Sequence, residues 1–153
     1  MTTMTSPLYF EDFHLGRTFD CGPYAVTKEE IVEFACEFDP QPHHLDEEAA
    51  KRSMLGGLAA SGWHVCAMTM RMFADTMIPV MAARGGSGSR EARWMKPVCP
   101  GDVLHVEAEV VDTKQSNGRS DIGHVTFACR VFNQDEQVAL VFMTPIIAKR
   151  GDA

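Results

Sequence analysis

The chain has 153 residues, of which 45% are hydrophobic and 23% are charged, and its formal net charge is −7. These are the values of a globular domain, and we expect one domain over residues 1–153. The acidic balance, without runs of Lys or Arg, argues against nucleic-acid binding and against attachment to anionic membranes.

Neither a membrane span nor a secretion signal is expected from the sequence. The apolar runs are far shorter than the roughly 18 residues that a span requires. The N-terminal segment MTTMTSPLYF lacks the pattern of a signal peptide. The five cysteines are scattered and contain no CxxC pair. We therefore expect a cytoplasmic protein with reduced thiols.

The first strong helix pattern covers residues 27–38. Thr27 as N-cap and Glu30 three residues later form a predicted capping box. Apolar residues then follow at helical spacing and predict one buried face: Ile31, Phe34, Ala35 and Phe38.

Two prolines follow this helix within a segment rich in titratable residues. Pro40 ends the helix, because a proline disfavours helical geometry in the preceding residue. Pro42 restricts the chain again, so a stiff loop is predicted between Asp39 and His44. Asp46 then caps a short second helix.

A long apolar helix is predicted next, over residues 63–78. Few of its residues are polar, so we expect it to be buried on nearly all sides. His64 in its first turn is interpreted as a packed residue rather than a catalytic one. The Gly- and Ser-rich segment 83–89 predicts a break in regular structure.

The C-terminal half reads as β-strands. Apolar and polar residues alternate over 104–110 and over 125–131, and 138–148 is almost continuously apolar. Pro145 within this last strand requires a bulge or an edge position. A buried helix against an antiparallel sheet predicts the α+β class.

Three motifs resemble the MaoC-like dehydratases, the (R)-specific enoyl-CoA hydratase group of the hotdog fold. That family places an Asp and a His five residues apart in a Pro-containing signature, as in DPQPHH, where these residues are Asp39 and His44. A His-Gly pair opens the family's central helix, and Ser61-Gly62 stands at that spacing. The segment WMKPVCPGD, 94–102, matches a third family motif. The resemblance runs from about Phe10 to the C-terminus.

The resemblance implies an antiparallel sheet wrapped around a central buried helix, paired with a second copy in a homodimer or in a higher homo-oligomer. It also implies hydration of a trans-2-enoyl-CoA, or dehydration of an (R)-3-hydroxyacyl-CoA, within fatty acid metabolism. Asp39 and His44 would share the reacting water, and the backbone N–H of Gly62 would polarise the thioester carbonyl. CoA belongs to the substrate, so no separate cofactor is expected. The predicted substrate-binding residues are Gln41, Ser61, Met70, Trp94 and Arg93.

Two residues depart from the family pattern. Gln41 replaces an Asn of the signature, which keeps the amide group. Met70 stands where known hydratases tend to have a Ser. Loss of that hydroxyl leaves open a non-catalytic acyl-CoA-binding protein. A thioesterase is the other alternative, and Asp75 is the sole carboxylate that the long helix offers for that chemistry.

The individual site residues also have structural interpretations. Asp39 could bond loop amides, His44 could be a structural histidine, and Ser61 could simply cap the long helix. A metal site at His43, His44 and Asp46 is not expected. Adjacent histidines in an extended segment point apart, and no third ligand has suitable spacing.

Overall fold

A computed structural model describes residues 6–151 of the chain. Two predictions concern in part residues that lie outside this range. The absence of a signal peptide in MTTMTSPLYF involves residues 1–5, and a domain that extends to residue 153 involves residues 152–153. A 3₁₀ turn, Phe10–Asp12, precedes four helices and six strands. The helices are α1 (Lys28–Phe38), α2 (Pro42–Leu45), α3 (Glu47–Lys51) and α4 (Gly62–Met77).

All six strands belong to one antiparallel sheet. They are β1 (Thr18–Ala25), β2 (Ala83–Gly88), β3 (Ala92–Trp94), β4 (Val103–Gln115), β5 (Ile122–Phe132) and β6 (Gln137–Ala148). The order across the sheet is β1-β4-β5-β6-β2, and β3 pairs with β6. Helix α4 packs against one face of this sheet. There Phe73 of α4 meets Phe127 of β5 edge to face, with ring centroids 5.2 Å apart. The predicted α+β hotdog fold is confirmed.

The capping box at α1 forms in one half only. The Thr27 hydroxyl accepts a hydrogen bond from the Glu30 N–H at 3.2 Å, as predicted. The Glu30 carboxylate turns away from the backbone to Tyr24 and His64 instead. Asp46 caps α3 as predicted, since its Oδ1 accepts from the N–H of Ala49 at 2.7 Å.

The expected loop before His44 is in part a turn of helix. Pro42 occupies the first position of α2, where its fixed φ suits a helix and its missing N–H costs nothing. The expectation that His43 and His44 point apart was therefore wrong. Their rings are in contact, with centroids 4.1 Å apart.

The Gly-rich segment after α4 is a strand rather than a break. It forms β2 at the edge of the sheet, because the backbone of β6 offers it a pairing partner. Gly86 pairs with Pro145, and the register shifts on both sides of this pair. The bulge that Pro145 required is thus present.

Helix α4 is buried on one side and open on the other. Trp63 is 63% exposed and Met70 is 44% exposed. The expectation of burial on nearly all sides was wrong for the isolated chain, because a single sheet covers only one face of a helix. Within residues 6–151, no helix has both the length and the apolar character needed to cross a bilayer.

Candidate active site

Asp39 and His44 come together at the end of α1. Asp39 is the residue that closes α1, and its N–H donates to the carbonyl of Ala35 at 3.0 Å. His44 lies on α2 with only 6% of its surface exposed. The distance between Asp39 Oδ2 and His44 Nε2 is 3.5 Å. The predicted pairing of these two side chains is present in the structure.

The chain itself fixes the tautomer of His44. Its Nδ1 lies 2.7 Å from the carbonyl oxygen of Ala59, which can only accept a hydrogen bond. Nδ1 therefore carries a proton in either charge state of the ring. The N–H of Ala60 donates to the carbonyl of Val98 at 2.8 Å, which anchors this backbone. In the neutral imidazole the lone pair is on Nε2, facing Asp39.

The carboxylate of Asp39 is held in its ionised form. The hydroxyl of Ser61 donates to Oδ2 at 2.6 Å, and the amide of Gln41 donates to Oδ1 at 2.6 Å. The bond from Ser61 and then the bond from Gln41 lower the pKa of Asp39 below its usual value, and His44 adds a smaller effect. Ser61 stands at the N-cap position of α4, but its hydroxyl makes no cap bond. The simple N-cap interpretation of Ser61 is therefore replaced by a contact with Asp39.

Gly62 begins α4 beside this pair. The first N–H groups of a helix lack intrahelical acceptors, and the helix dipole makes this end attractive to negative charge. A Cβ placed on Gly62 would lie 2.4 Å from Cδ2 and from Cε2 of Trp94. The glycine is thus needed for the close approach of the indole.

A cavity of about 350 Å³ opens beside these residues. His44, Gly62, Trp94 and Lys96 contribute to its wall, and the remaining lining is mostly apolar. This volume is within the range of small-molecule sites. Lys96 of the segment WMKPVCPGD is the basic residue in this wall.

Four predicted binding residues do not line this cavity, and Trp94 is the one that does. Ser61 and Gln41 bond to Asp39 instead of lining the space. Arg93 alternates with Trp94 along β3, so its side chain lies on the opposite face, where it pairs with Glu91. Met70 lines a second, apolar cavity of about 450 Å³. It is eight residues beyond Gly62, or about 12 Å along the helix axis.

Two features of the site were not predicted from the sequence. The Ala59 carbonyl orients His44, and a backbone acceptor leaves no signature in the side-chain pattern. His64 is packed, as predicted, but it also pairs with Glu30, with His64 Nε2 2.9 Å from Oε1.

Across residues 6–151, no group of three or more His, Cys, Asp or Glu could hold a metal ion. All five cysteines are free.

The site combines an ionised carboxylate, an oriented imidazole and the N-terminus of a helix at the edge of a cavity. Such a set can take a proton from a small molecule, return it to a neighbouring atom and stabilise a developing negative charge.

Comparison with known proteins places these features in a wider group. A family model described as a MaoC like domain matches residues 12–131. A solved MaoC-like dehydratase from Rhodospirillum rubrum is 42% identical, with a TM-score of 0.85; the match covers 94% of this chain and 99% of that one.

Two further relatives are more distant. The uncharacterized protein YdeM of Bacillus subtilis is 29% identical over 140 residues, which are 92% of this chain and 98% of YdeM. Mesaconyl-CoA hydratase of Cereibacter sphaeroides is 30% identical over 147 residues, which are 94% of this chain and 42% of that enzyme.

Proposed function

The chain belongs to the MaoC-like dehydratase family, and we propose that it is an acyl-CoA hydro-lyase. It adds water to a trans-2-enoyl-CoA, or removes water from an (R)-3-hydroxyacyl-CoA, as a cytoplasmic enzyme of fatty acid metabolism. The observation that carries this proposal is the 3.5 Å approach of Asp39 Oδ2 to His44 Nε2 beside the start of α4. The name of the mesaconyl-CoA hydratase among its relatives supports the same chemistry.

The reacting water lies between Asp39 and His44. Because their facing atoms are 3.5 Å apart, one water oxygen can lie about 2.8 Å from both. The bond from Ala59 holds the imidazole with Nε2 toward that point. The bonds from Ser61 and Gln41 hold the carboxylate in place. The water is thus oriented by groups that are themselves fixed, which is the preorganisation that catalysis requires.

The protonation states decide how the proton moves. Hydration forms a C3–O bond and a C2–H bond, and it breaks one O–H bond of water. At the start, neither the carboxylate of Asp39 nor the neutral Nε2 of His44 carries a proton that it could donate. The proton that reaches C2 is therefore the one taken from water. An imidazole is ordinarily more basic than a carboxylate whose pKa is lowered. His44 therefore takes this proton and delivers it to C2, while Asp39 holds the other water hydrogen and stabilises the imidazolium.

The thioester carbonyl of the substrate lies at the N-terminus of α4. Negative charge develops on its oxygen as water adds to C3, and the N–H of Gly62 donates to it. Removing a donor of this kind typically costs about 3–4 kcal/mol of transition-state stabilisation. Lys96, at the wall of the first cavity, supplies a cation for a phosphate of CoA. Longer acyl chains extend along α4 toward the apolar cavity at Met70.

The active form is a homodimer. The outer face of α4 leaves Trp63, Met70 and Ile78 exposed, and the edge of β2 is unpaired along its outer side within the described chain. Exposed apolar surface and an open strand edge are features that association with a second copy covers.

The thioesterase alternative finds little support in the geometry. Asp75 is exposed and pairs with Arg71, with Arg71 Nε 2.9 Å from Asp75 Oδ2. It lies thirteen residues beyond Gly62 on α4, far from the helix end that could polarise a carbonyl. Loss of the family Ser at Met70 remains the argument for binding without catalysis.

Turnover of crotonyl-CoA tests the proposal. Loss of the enoyl-thioester absorbance reports hydration, and a thiol reagent in the same cuvette reports hydrolysis. We expect absorbance loss without thiol release, and a product of (R) configuration. Asp39→Asn and His44→Gln should each lower kcat by about 10²- to 10⁴-fold, the usual contribution of a general acid–base group.

Each other outcome selects a different function. Thiol release would identify a thioesterase, and saturable binding without turnover would identify a binding protein. Near-normal hydration by either variant would refute the roles given to these two residues. Thr69→Val is a suitable control, since the Thr69 hydroxyl donates to the carbonyl of Val65 and lies outside the site.

A further inference from the structure

A second cluster of titratable side chains joins three elements of the fold near the site. Glu30 of α1 accepts a hydrogen bond at Oε1 from the hydroxyl of Tyr24 on β1. The same oxygen accepts from Nε2 of His64 on α4, at 2.9 Å. Burial, and then the bond to Glu30, raise the pKa of Tyr24 to about 12, so the phenol remains a donor. We call these three residues the Tyr24–Glu30–His64 bridge.

His64 is held in this bridge at a cost. Its ring stacks on Phe34 with centroids 4.5 Å apart and planes 6° apart. Its Nδ1 is buried and has no hydrogen-bond partner among the described residues. An apolar ring would pack on Phe34 without leaving an unpaired polar atom. The polar side chain therefore serves the bond to Glu30 rather than the packing.

The bridge lies outside the chemical site. His64 borders a groove on α1 that is separate from the 350 Å³ cavity beside His44 and Gly62. His64 therefore does not touch the reacting atoms. It lies two residues after Gly62, however, and Glu30 lies on the helix that ends at Asp39. The bridge thus joins the two helices whose ends carry the catalytic groups.

We propose that His64 is a positioning residue, which through Glu30 and Tyr24 fixes α1 against the first turn of α4 and so sets Asp39 relative to Ser61 and Gly62. Apolar contacts between helices are not directional, whereas a hydrogen bond fixes the relative positions of its two atoms. The catalytic part of this inference rests on the proposed hydration. The structural part concerns the 2.6 Å bond between Ser61 and Asp39, which spans the same two helices.

NMR titration of the Asp39 carboxyl carbon in His64→Phe tests the structural part without any substrate. Phenylalanine keeps the stacking on Phe34 and removes the bond to Glu30. If α1 and α4 shift, the Ser61–Asp39 bond weakens, and the pKa of Asp39 rises toward its ordinary value. Ser61→Ala gives the reference for complete loss of that bond. Thr69→Val, which changes α4 away from the bridge, should leave the pKa of Asp39 unchanged.

Kinetics test the catalytic part. We expect kcat of His64→Phe to fall by about tenfold or more with KM within about twofold, because a displacement of about 1 Å can cost 10²-fold in rate. His64→Gln, which restores an N–H donor, should recover part of kcat. A double variant with Glu30→Leu should be no slower than Glu30→Leu alone, since that substitution already removes the bond to His64 together with the bond to Tyr24.

Asp39 titrating as in the wild-type protein, in folded His64→Phe, would overturn the proposal. If His64→Phe does not fold, Glu30→Leu at a partly exposed position removes the same bond and decides the question by the same titration. A wild-type protein that hydrates no enoyl-CoA would refute the proposed function alone, and the titration would still decide whether His64 positions Asp39.

Discussion

Replacing Gly62 by alanine should displace the indole of Trp94 from the start of α4. The new Cβ would lie 2.4 Å from two ring atoms, Cδ2 and Cε2, and 2.9 Å from Cε3. Carbon atoms in contact are ordinarily about 3.5–4.0 Å apart, so the indole must move by about 1 Å or more. Trp94 is 46% exposed and lies on a three-residue strand, so it can move without disrupting the sheet.

The expected cost to stability follows from this geometry. Overpacking a core costs about 1–3 kcal/mol, and the exposed indole places this substitution near the lower end. For a domain of this size, a loss of about 1 kcal/mol lowers Tm by about 2–4 °C. Trp94 is part of the wall of the cavity beside His44, so its displacement changes the shape of that cavity, and we expect kcat/KM on crotonyl-CoA to fall by about 10- to 100-fold.

Thermal unfolding and enoyl-CoA turnover of three further variants check this reasoning. Gly118→Ala is the matched control, since a Cβ there meets nothing within 4 Å. The other two variants are Trp94→Ala and the double variant with Gly62→Ala. Their difference in Tm should be small, because the ring that clashes with the new Cβ is absent from both. A Gly62→Ala protein with the Tm and the kcat/KM of wild type would refute the close contact between Trp94 and Gly62.

Three other substitutions probe the site. Ser61→Ala should raise the pKa of Asp39 toward its ordinary value. A carboxyl group whose pKa is lower in the folded than in the unfolded protein stabilises the fold at pH values above its unfolded-state pKa. This stabilisation is lost as the pH falls through the folded-state pKa. Urea unfolding should therefore show a larger stability loss at pH 7 than near pH 3, and equal losses would contradict this account. Lys96→Gln should raise KM for crotonyl-CoA severalfold at low salt and leave kcat unchanged. Arg93→Gln, on the opposite face of β3, is the control and should change neither constant. Equal increases of KM in the two variants would show that Lys96 does not bind CoA. Met70→Trp should reduce turnover of octenoyl-CoA but not of crotonyl-CoA, and equal loss on both esters would exclude the apolar cavity as the acyl site.

The sequence was sufficient where the signal is local or periodic. Period-2 alternation found β4 and β5, Asp46 marked the start of α3, and the spacing of Asp39 and His44 identified the pair that the fold brings together. Each of these depends on nearest neighbours or on a fixed repeat along one element, so tertiary structure did not need to be known.

The errors arose where a distant partner decides the outcome. The Gly-rich segment became β2 because β6 lies beside it, and composition alone cannot show that partner. Met70 was predicted by family spacing to bind substrate, and the sequence could not show that two turns of helix separate it from the cavity beside His44 and place it at another one. Arg93 and Lys96 are close in sequence but differ in position. The alternation of side chains along β3 directs Arg93 away from the cavity, and the path of the chain after β3 brings Lys96 to the cavity wall.

The diversion of Glu30 from its capping box has a consequence for protein engineering. A search for stabilising substitutions guided by local rules would regard the first turn of α1 as an incomplete cap and would redesign it. The missing half of that cap is the carboxylate that holds Tyr24 and His64. Positions where local preference and structure disagree tend to be functional. A thermostable variant of this protein should therefore be sought at other helix ends, with the first turn of α1 left as it is.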